Sequence, residues 1–405
     1  MRSFLPWSSS RHGRKKEATR FWMSLGLLAT FSLNFVFLFK IVPSKHSNPI
    51  PSKGLEHHDI PTCPDFGCPI YPAELTDYLQ ELLEDHFVKN QDSSPRNSFD
   101  FGSDHYALLT QTGKSHFVNQ DRAVLISPFH TAVTSNPEEP SFLMGVFDGH
   151  GQQGHIVANH IALDLPQRLA GEFNTLVQQD AMDQNDVDDA WIIKALNKTI
   201  VEVDMYGPPN FLLGGSTATI AFRRGSKLYI ANTGDSQTVV VSVPDASTMP
   251  RPLTPQDASI IYKTRADKAE LPEEYARISA LNGTIRIDPQ SHDSRVIVRS
   301  VAAREDIMLA MSRSLGDWEW KAVGVTAEPI IDVIDLAKYP QAFVIAASDG
   351  VWGMRRDRFF AEQFSQSFYV GNRHPLHQCW HVLHTITPKV KMGYCDDMTA
   401  VVMKL

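Results

Sequence analysis

The segment Phe147-Asp148-Gly149-His150-Gly151 decides the fold prediction, because it places acidic and turn-forming residues directly after an apolar run, Phe142 to Phe147. Two later segments also flank apolar runs: Ala347-Ser348-Asp349-Gly350 follows one, and Cys395-Asp396-Asp397-Met398-Thr399 precedes one. Short apolar runs bounded by turn residues are typical of buried strands. The three segments therefore predict carboxylates at the points where strands enter or leave a sheet.

Aspartates held on rigid strand ends are suited to binding hard divalent cations. Mg²⁺ and Mn²⁺ prefer an octahedral shell of oxygen ligands, made of carboxylates, carbonyl groups and retained water molecules. Gly149 and Gly350 follow the first two aspartates, and glycine lets the backbone turn tightly and bring a carbonyl close to an ion. Because Asp-Gly is also a common turn dipeptide, each segment taken alone predicts only a turn.

Four further segments lie between the acidic turns, and their order and spacing make the pattern specific. They are Gly214-Gly215-Ser216-Thr217-Ala218, Leu228-Tyr229-Ile230-Ala231-Asn232-Thr233-Gly234-Asp235-Ser236, Leu253-Thr254 and Leu309-Ala310-Met311-Ser312-Arg313-Ser314-Leu315-Gly316-Asp317. Together with the acidic turns, these segments resemble the metal-dependent serine/threonine protein phosphatases of the type-2C family. The resemblance extends from about Tyr106 to Leu405, roughly three quarters of the chain.

The fold prediction combines apolar runs bounded by glycine and proline, which indicate strands, with segments of helical periodicity. The predicted strands are Phe142 to Phe147, Thr217 to Phe222, Lys227 to Ala231, Thr238 to Val243, Phe343 to Ala347 and Thr399 to Met403. The predicted helices are Gly154 to Leu169, Ala190 to Met205 and His377 to Ile386. Strands in blocks favour an α+β fold over regular βαβ alternation. The resemblance implies a four-layer α-β-β-α sandwich of two mostly antiparallel sheets flanked by helices.

The resemblance also implies a dinuclear centre of two Mg²⁺ or Mn²⁺ ions that hydrolyses phosphoserine and phosphothreonine in proteins. The shared carboxylate would be Asp148, with the Gly149 carbonyl on one ion and Asp349 and Asp396 on the other. Two ions ~3.5–4 Å apart lower the pKa of a bridging water, so that hydroxide becomes available near neutral pH as the nucleophile. Phosphorylated proteins are therefore the expected partners.

Three more residues have roles implied by the resemblance. Asp121, in Asn119-Gln120-Asp121-Arg122, would orient metal-bound water, and Asp235 would hold a third, weaker ion, as in some relatives. His150 resembles the general acid of the family, which protonates the leaving alkoxide. Without the full motif, a histidine in a glycine-rich turn is more often a bystander, and Asp235 is typical of a turn after a strand.

The chain departs from the family pattern at several positions near the predicted site. Animal-type relatives carry a phosphate-binding Arg where this chain has His116, for which Lys114 or Arg122 would substitute. Gly353 replaces the acid that usually follows Ser-Asp-Gly-x-Trp, and Gln237 replaces an Arg after Gly-Asp-Ser. All core ligands are present, which favours an active phosphatase. Two alternatives stay open: a degenerate pseudophosphatase acting as a membrane-tethered binding module, and a metal-dependent hydrolase of another phosphate ester.

The amino-terminal residues predict a basic cytoplasmic tail, 1–20, followed by a single-pass membrane anchor, 21–42. The tail contains six Lys or Arg residues and one Glu, and Phe21 to Phe39 are 19 uncharged, mostly apolar positions. That length suits a helix across a hydrocarbon core of ~30 Å. The positive-inside bias would place the catalytic domain on the far side of the membrane. The Arg- and Ser-rich tail also suits a mitochondrial transit peptide, which is the alternative.

The remaining chain divides into a stalk, 43–103, with one amphipathic stretch, Glu74 to Phe87, and a catalytic domain, 104–405.

A net charge of −8 argues against nucleic acid as a partner, because binding the phosphate backbone needs a basic surface. Four cysteines are too few for a disulfide framework. Cys63 and Cys68 are close enough to bridge in an oxidising compartment, and two free thiols are the alternative. We expect a monomer.

Overall fold

The structure is a computed structural model. It describes residues 98–113, 117–134, 136, 138–179, 187–291, 293–300, 304–371, 373–386 and 396–405. The predicted basic tail, membrane anchor and amphipathic stalk segment all lie outside these residues. Within the part of the chain that is described, no helix is both long and apolar enough to span a membrane.

Strands and helices alternate in blocks along the described chain. In chain order the strands are β1 (Ser98–Gly102), β2 (Tyr106–Gln111), β3 (Asp121–Ile126), β4 (Ser141–Gly151), β5 (Gly214–Ser216), β6 (Ala218–Arg224), β7 (Lys227–Thr233), β8 (Gln237–Ser242), β9 (Ser259–Lys263), β10 (Thr284–Ile287), β11 (Ser294–Arg299), β12 (Asp306–Leu309), β13 (Leu315–Gly316), β14 (Ile330–Asp335), β15 (Ala342–Ala347) and β16 (Met398–Lys404). The helices are α1 (Gly154–Gln179), α2 (Asp189–Met205), α3 (Pro272–Ala280), α4 (Trp318–Lys321), α5 (Asp349–Trp352), α6 (Asp357–Ser365) and α7 (Pro375–Ile386). A 3₁₀ turn, Pro209–Leu212, precedes β5.

Two large antiparallel sheets pack against each other. One sheet has the strand order β1-β2-β16-β15-β8-β9. The other has the order β13-β5-β4-β6-β7-β14, and β3 pairs with β4 beside it. Helices α1 and α2 pack against the second sheet, and α6 and α7 pack against the first. The predicted α+β fold with antiparallel sheets and helices is confirmed.

Strand β15 illustrates why these apolar runs form sheets between two layers. Its residues alternate between two cores: Val344 and Ala346 contact side chains of the opposite sheet, whereas Phe343 and Ile345 pack with helices α6 and α7. Successive side chains of a strand point to opposite faces. A strand that is covered on both faces therefore needs a continuous apolar run, which is the pattern that predicted it.

Helix α1 is longer than its periodicity predicts. The sequence predicts an end at Leu169, but the helix continues through Gly171 to Gln179. Glycine inside a helix costs roughly 1 kcal/mol relative to alanine. Phe173 offsets this cost, because it is fully buried and its ring centroid lies 5.2 Å from that of Phe222 in β6. Tertiary packing therefore extends the helix beyond its local signal.

The folded sheet begins earlier than the predicted domain boundary at residue 104. Strand β1 starts at Ser98 and pairs with β2 along its whole length, from Ser98 opposite Gln111 to Gly102 opposite Ala107. Strand β2 is part of the first sheet, so its pairing with β1 extends that sheet by one strand. Residues 98–102 therefore belong to the sheet rather than to the stalk.

A third sheet, β10-β11-β12, was not predicted from the sequence. Its strands are short, β11 alternates buried with exposed or partly exposed residues and β10 and β12 are mostly exposed, so they lack the continuous buried apolar run of the central strands. It encloses a small core with Ile278, Val296, Leu309 and Trp320, and the Trp320 Nε1 donates to the Val296 carbonyl at 3.1 Å. We call β10-β12 with α3 and α4 the small-sheet unit.

A buried glutamate links the small-sheet unit to the segment before β13. Glu274 of α3 is fully buried and accepts hydrogen bonds from Arg265 at 2.8 Å, Arg277 at 2.6 Å and Arg313 at 2.8 Å. The Ser312 hydroxyl also donates to it at 2.7 Å. Burial alone raises the Glu274 pKa, but these hydrogen bonds outweigh burial and lower that pKa to about 2. The carboxylate is therefore charged and holds the unit in place.

The aromatic core around Phe222 yields a stability prediction. Phe222 is fully buried, with its ring centroid 5.9 Å from that of Phe129 and 5.8 Å from that of Tyr229. Phe222→Ala should lower the free energy of unfolding by about 3–5 kcal/mol, because it removes buried apolar area and leaves a cavity. Phe117→Ala is the matched control, since Phe117 is 98% exposed. Urea unfolding followed by circular dichroism measures both; equal losses would contradict this account of the core.

Candidate active site

An open cavity of about 990 Å³ lies where β4, the turn after β7 and the start of α5 meet. The predicted site residues that line it are Asp148, Gly149, His150, Asp235, Asp349 and Asp396. Asp121 lies beside them in β3, directly opposite Asp148 in the register of β3 and β4, and is 1% exposed. The structure therefore brings the predicted residues from distant parts of the chain to one place.

Close backbone packing at Gly149 fixes the end of β4. A Cβ atom at this position would lie 2.4 Å from the Gly154 carbonyl oxygen and 2.5 Å from the Gln120 carbonyl oxygen. No side chain fits those distances, so glycine is required here for its small size. The start of α1 and the segment before β3 can consequently approach the turn that carries Asp148 and His150.

Asp148 lies at the centre of a crowded group of carboxyl groups. Burial raises its pKa well above the usual range, and the negative charges of Asp121, Asp349, Asp235 and Asp396 raise it further. Burial and neighbouring acids have the same effect at Asp349, where the pKa is about 6, and at Asp121, where it is about 8. Such shifts arise because like charges in a poorly solvated site repel one another. A cation in the cavity would relieve this repulsion.

The donor set fits Mg²⁺ or Mn²⁺ in its chemistry. Its candidate ligands are all oxygen atoms, which hard divalent ions prefer, and they leave room for retained water in an open cavity. The side chains share the cavity without converging on one point. Among the described residues, no group of three or more His, Cys, Asp or Glu side chains has the close spacing of a complete metal site.

Asp397 has a role that the sequence analysis did not assign. Its Oδ1 accepts from the Gly113 N–H at 2.7 Å, and its Oδ2 accepts from the Gln120 N–H at 2.7 Å. Its neighbour Asp396 lines the cavity. The two adjacent aspartates therefore have different positions: Asp396 lines the cavity and accepts from the Asp397 N–H at 3.0 Å, and Asp397 ties the segment before β3 to the start of β16.

His150 is paired with Asp317, a residue that closes the quoted segment Leu309 to Asp317 but received no predicted role. The distance from His150 Nε2 to Asp317 Oδ2 is 2.7 Å, and the aspartate side chain is 2% exposed. Burial lowers the His150 pKa, but the charge and hydrogen bond of Asp317 outweigh burial, so that pKa is raised. A Cβ at Gly215 would lie 2.2 Å from Asp317 Oδ2. Gly215 therefore leaves the space in which the pair forms.

Asp235 is paired with a lysine. Lys268 Nζ donates to Asp235 Oδ2 at 2.5 Å, and the charge of Asp235 and a hydrogen bond to it raise the Lys268 pKa although burial lowers it. Gly353 also lines the cavity, at the position where the family pattern has an acid. An ammonium group therefore neutralises Asp235, and position 353 contributes no carboxylate to the cavity.

The arginine that lines the cavity comes from the small-sheet unit. Arg122, which the sequence analysis considered for phosphate binding, is 4% exposed and donates to the Asn119 and Asp121 carbonyls at 2.7 Å each. It does not line the cavity. The expectation that Arg122 binds phosphate is therefore wrong, because its guanidinium is buried and hydrogen-bonded to backbone carbonyls. Lys114 and His116 lie outside the described residues. Arg295 of β11 lines the cavity instead.

Comparisons with known proteins agree with this geometry. The family model described as protein phosphatase 2C matches residues 111–367. Probable protein phosphatase 2C 61 of Arabidopsis thaliana is 29% identical over 283 residues, covering 69% of this chain and 75% of the relative. Probable protein phosphatase 2C 64 of Oryza sativa subsp. japonica is 32% identical over 254 residues, covering 60% of this chain and 52% of the relative.

A solved structure supports the same fold. The crystal structure of serine-threonine phosphatase 2C from Toxoplasma gondii matches with a TM-score of 0.59 at 17% identity, covering 76% of this chain and 98% of that one. The family match spans more than half of the chain and includes Asp121, Asp148, Asp235 and Asp349. This family is generally dependent on Mg²⁺ or Mn²⁺. The chain belongs to the protein phosphatase 2C family of serine/threonine phosphatases.

Proposed function

We propose that this protein hydrolyses phosphoserine and phosphothreonine in other proteins with two divalent ions in the carboxylate cavity. The observation that carries the proposal is the position of Asp148: its partly buried carboxyl group lies among four other acids, and His150 is two residues away in the same turn. A cluster of acids beside a paired histidine suits metal-assisted phosphate ester hydrolysis better than a structural role.

The residues that would hold the ions are Asp148, shared by both, the Gly149 carbonyl, Asp349 and Asp396. When bound, two such ions lower the pKa of a shared water, so that hydroxide is available near neutral pH. Asp121 lies opposite Asp148 and receives a hydrogen bond from the Ser348 hydroxyl at 2.7 Å, which fixes its carboxyl group. It would orient water at the site.

His150 would donate the proton that the leaving serine or threonine oxygen needs. Asp317 holds the imidazole ring and its negative charge stabilises the protonated form, so Asp317 is a positioning residue. Arg295 would bind the phosphate from the small-sheet side of the cavity, because a guanidinium offers charge-assisted hydrogen bonds to phosphate oxygens.

We also propose two ions rather than three. Asp235 was predicted to hold a third ion, and its pairing with Lys268 supplies a positive charge at that place. Gly353 offers no carboxylate to complete such a site. A pseudophosphatase is the alternative function; the presence of Arg295 in the cavity favours turnover, because it supplies the phosphate-binding cation that position 116 lacks.

The proposed ligands yield a test of metal dependence. Asp148→Ala should reduce hydrolysis of a phosphothreonine peptide to below a few per cent of the native rate, because it removes the shared carboxylate. Asp349→Asn and Asp396→Asn should raise the Mn²⁺ concentration needed for half-maximal activity. Asp104→Asn is the control, because Asp104 is exposed in the turn between β1 and β2 and does not line the cavity. Unchanged metal dependence in both ligand variants would contradict the assignment, and metal binding without turnover in the native protein would support the pseudophosphatase.

The histidine and aspartate pair yields a leaving-group test. His150→Gln should lower turnover of phosphothreonine peptide about 10²-fold or more, because a general acid contributes that much when the leaving oxygen needs a proton. Turnover of p-nitrophenyl phosphate, whose leaving group needs little protonation, should fall less. Asp317→Asn should show a smaller loss with the same selectivity. Equal losses on both substrates would make the pair structural only.

We propose further that residues 21–42 anchor the protein in a membrane, which is a prediction from sequence alone. The protein should remain in the membrane pellet after carbonate extraction, because an apolar span of that length inserts almost irreversibly. A variant lacking residues 21–42 should move to the supernatant. Release of the native protein would contradict the anchor, and a mature protein in mitochondria that begins after residue 40 would replace it with a transit peptide.

A further inference from the structure

A second cavity, of about 470 Å³, opens beside the catalytic one. His150, Gly151, Gln152 and Arg295 line both cavities, so the two are continuous along the His150 turn. The second cavity lies between the 3₁₀ turn Pro209–Leu212 and the small-sheet unit. A molecule whose phosphate reaches the carboxylates therefore meets this second cavity immediately next to the phosphate.

Apolar side chains from two separate elements form the walls of the second cavity. Leu212 and Leu213 come from the 3₁₀ turn and the residue after it, and Ile307, Met308 and Leu309 come from β12. Leu212 is 41% exposed, Leu213 is 40% exposed and Met308 is 56% exposed. Large apolar side chains exposed on both sides of one depression favour burial against an apolar ligand.

The charged residues around this cavity fix where a substrate would lie. Arg295 stands between the two cavities, and Asp317 and Glu319 line the second one. A phosphate near Arg295 and the carboxylate cavity leaves the adjoining part of the substrate over Leu212 and Met308. Acidic side chains there would repel a second phosphate or an acidic residue, so the walls favour an apolar group over a charged one.

We propose that the second cavity binds an apolar side chain of the substrate protein, within two positions of the phosphorylated residue. This inference rests on the proposed phosphatase function and names its substrate class. An extended peptide advances about 3.3–3.6 Å per residue, so a neighbour one or two positions away reaches the adjoining cavity. A cavity of 470 Å³ falls in the ordinary range for binding pockets, ~300–1,000 Å³, and admits a Leu, Met or Phe side chain.

The test compares phosphothreonine peptides that differ at one position, with Leu or the similarly sized Asn placed from two residues before to two residues after the phosphothreonine. At the position that enters the cavity, the native protein should show kcat/KM about ten-fold higher for the Leu peptide, as expected for one apolar pocket contact. Met308→Gln, and independently Leu212→Gln, should bring the Leu-to-Asn ratio close to one. Both side chains are exposed, so these variants are expected to fold.

Ile287→Gln is the matched control, because Ile287 is 42% exposed on β10 of the same small-sheet unit but does not line the second cavity. It should keep the native Leu-to-Asn ratio. No preference for Leu at any position in the native protein, or an equal change in the ratio in Ile287→Gln and Met308→Gln, overturns the proposal. Activity on p-nitrophenyl phosphate reports separately on the phosphatase function. If that activity is absent, the same ratios measured as dissociation constants of phosphonate peptides decide the apolar site.

Discussion

The site depends on the crowding of the partly buried Asp148 carboxyl group against other acids at the end of β4. Such a cluster is unfavourable unless a cation is available to it, yet the surrounding fold provides no way for Asp148 to move away. β4 is held between β3, β5 and β6, and close packing at Gly149 fixes its final turn. The rigidity of the sheet therefore keeps like charges together, which is what a metal-binding site requires.

The small-sheet unit supplies side chains to both cavities. Glu274 holds the unit through Arg265 and Arg313, which lie outside it, and that attachment places Arg295 at the carboxylate cavity and Met308 at the cavity beside it. The acids of the sandwich and the side chains of the small sheet thus meet around His150. The acids of the sandwich would carry out phosphate ester hydrolysis. The side chains at the interface with the small-sheet unit would select among phosphorylated proteins.

The sequence predicted the elements that leave a pattern in neighbouring residues of the chain. Strands such as β15 are covered on both faces and therefore appear as continuous apolar runs, and the aspartates follow directly at their ends. Pairings between distant segments left no such signal: Asp317 meets His150, and Lys268 meets Asp235, only after folding. The small sheet was missed because its strands are short and largely exposed, so they leave no continuous apolar run in the sequence. Arg122 was misjudged because burial, not spacing, decides whether a charged side chain reaches a cavity.

As proposed, two divalent ions would bind in the carboxylate cavity, and Lys268 would leave Asp235 without one. Anomalous diffraction from crystals of the catalytic domain soaked in Mn²⁺ measures this most directly. The account predicts two peaks, both near Asp148, one also near the Gly149 carbonyl and the other near Asp349 and Asp396. A third peak at Asp235 with Lys268 displaced, or no peak beside Asp148, would contradict it.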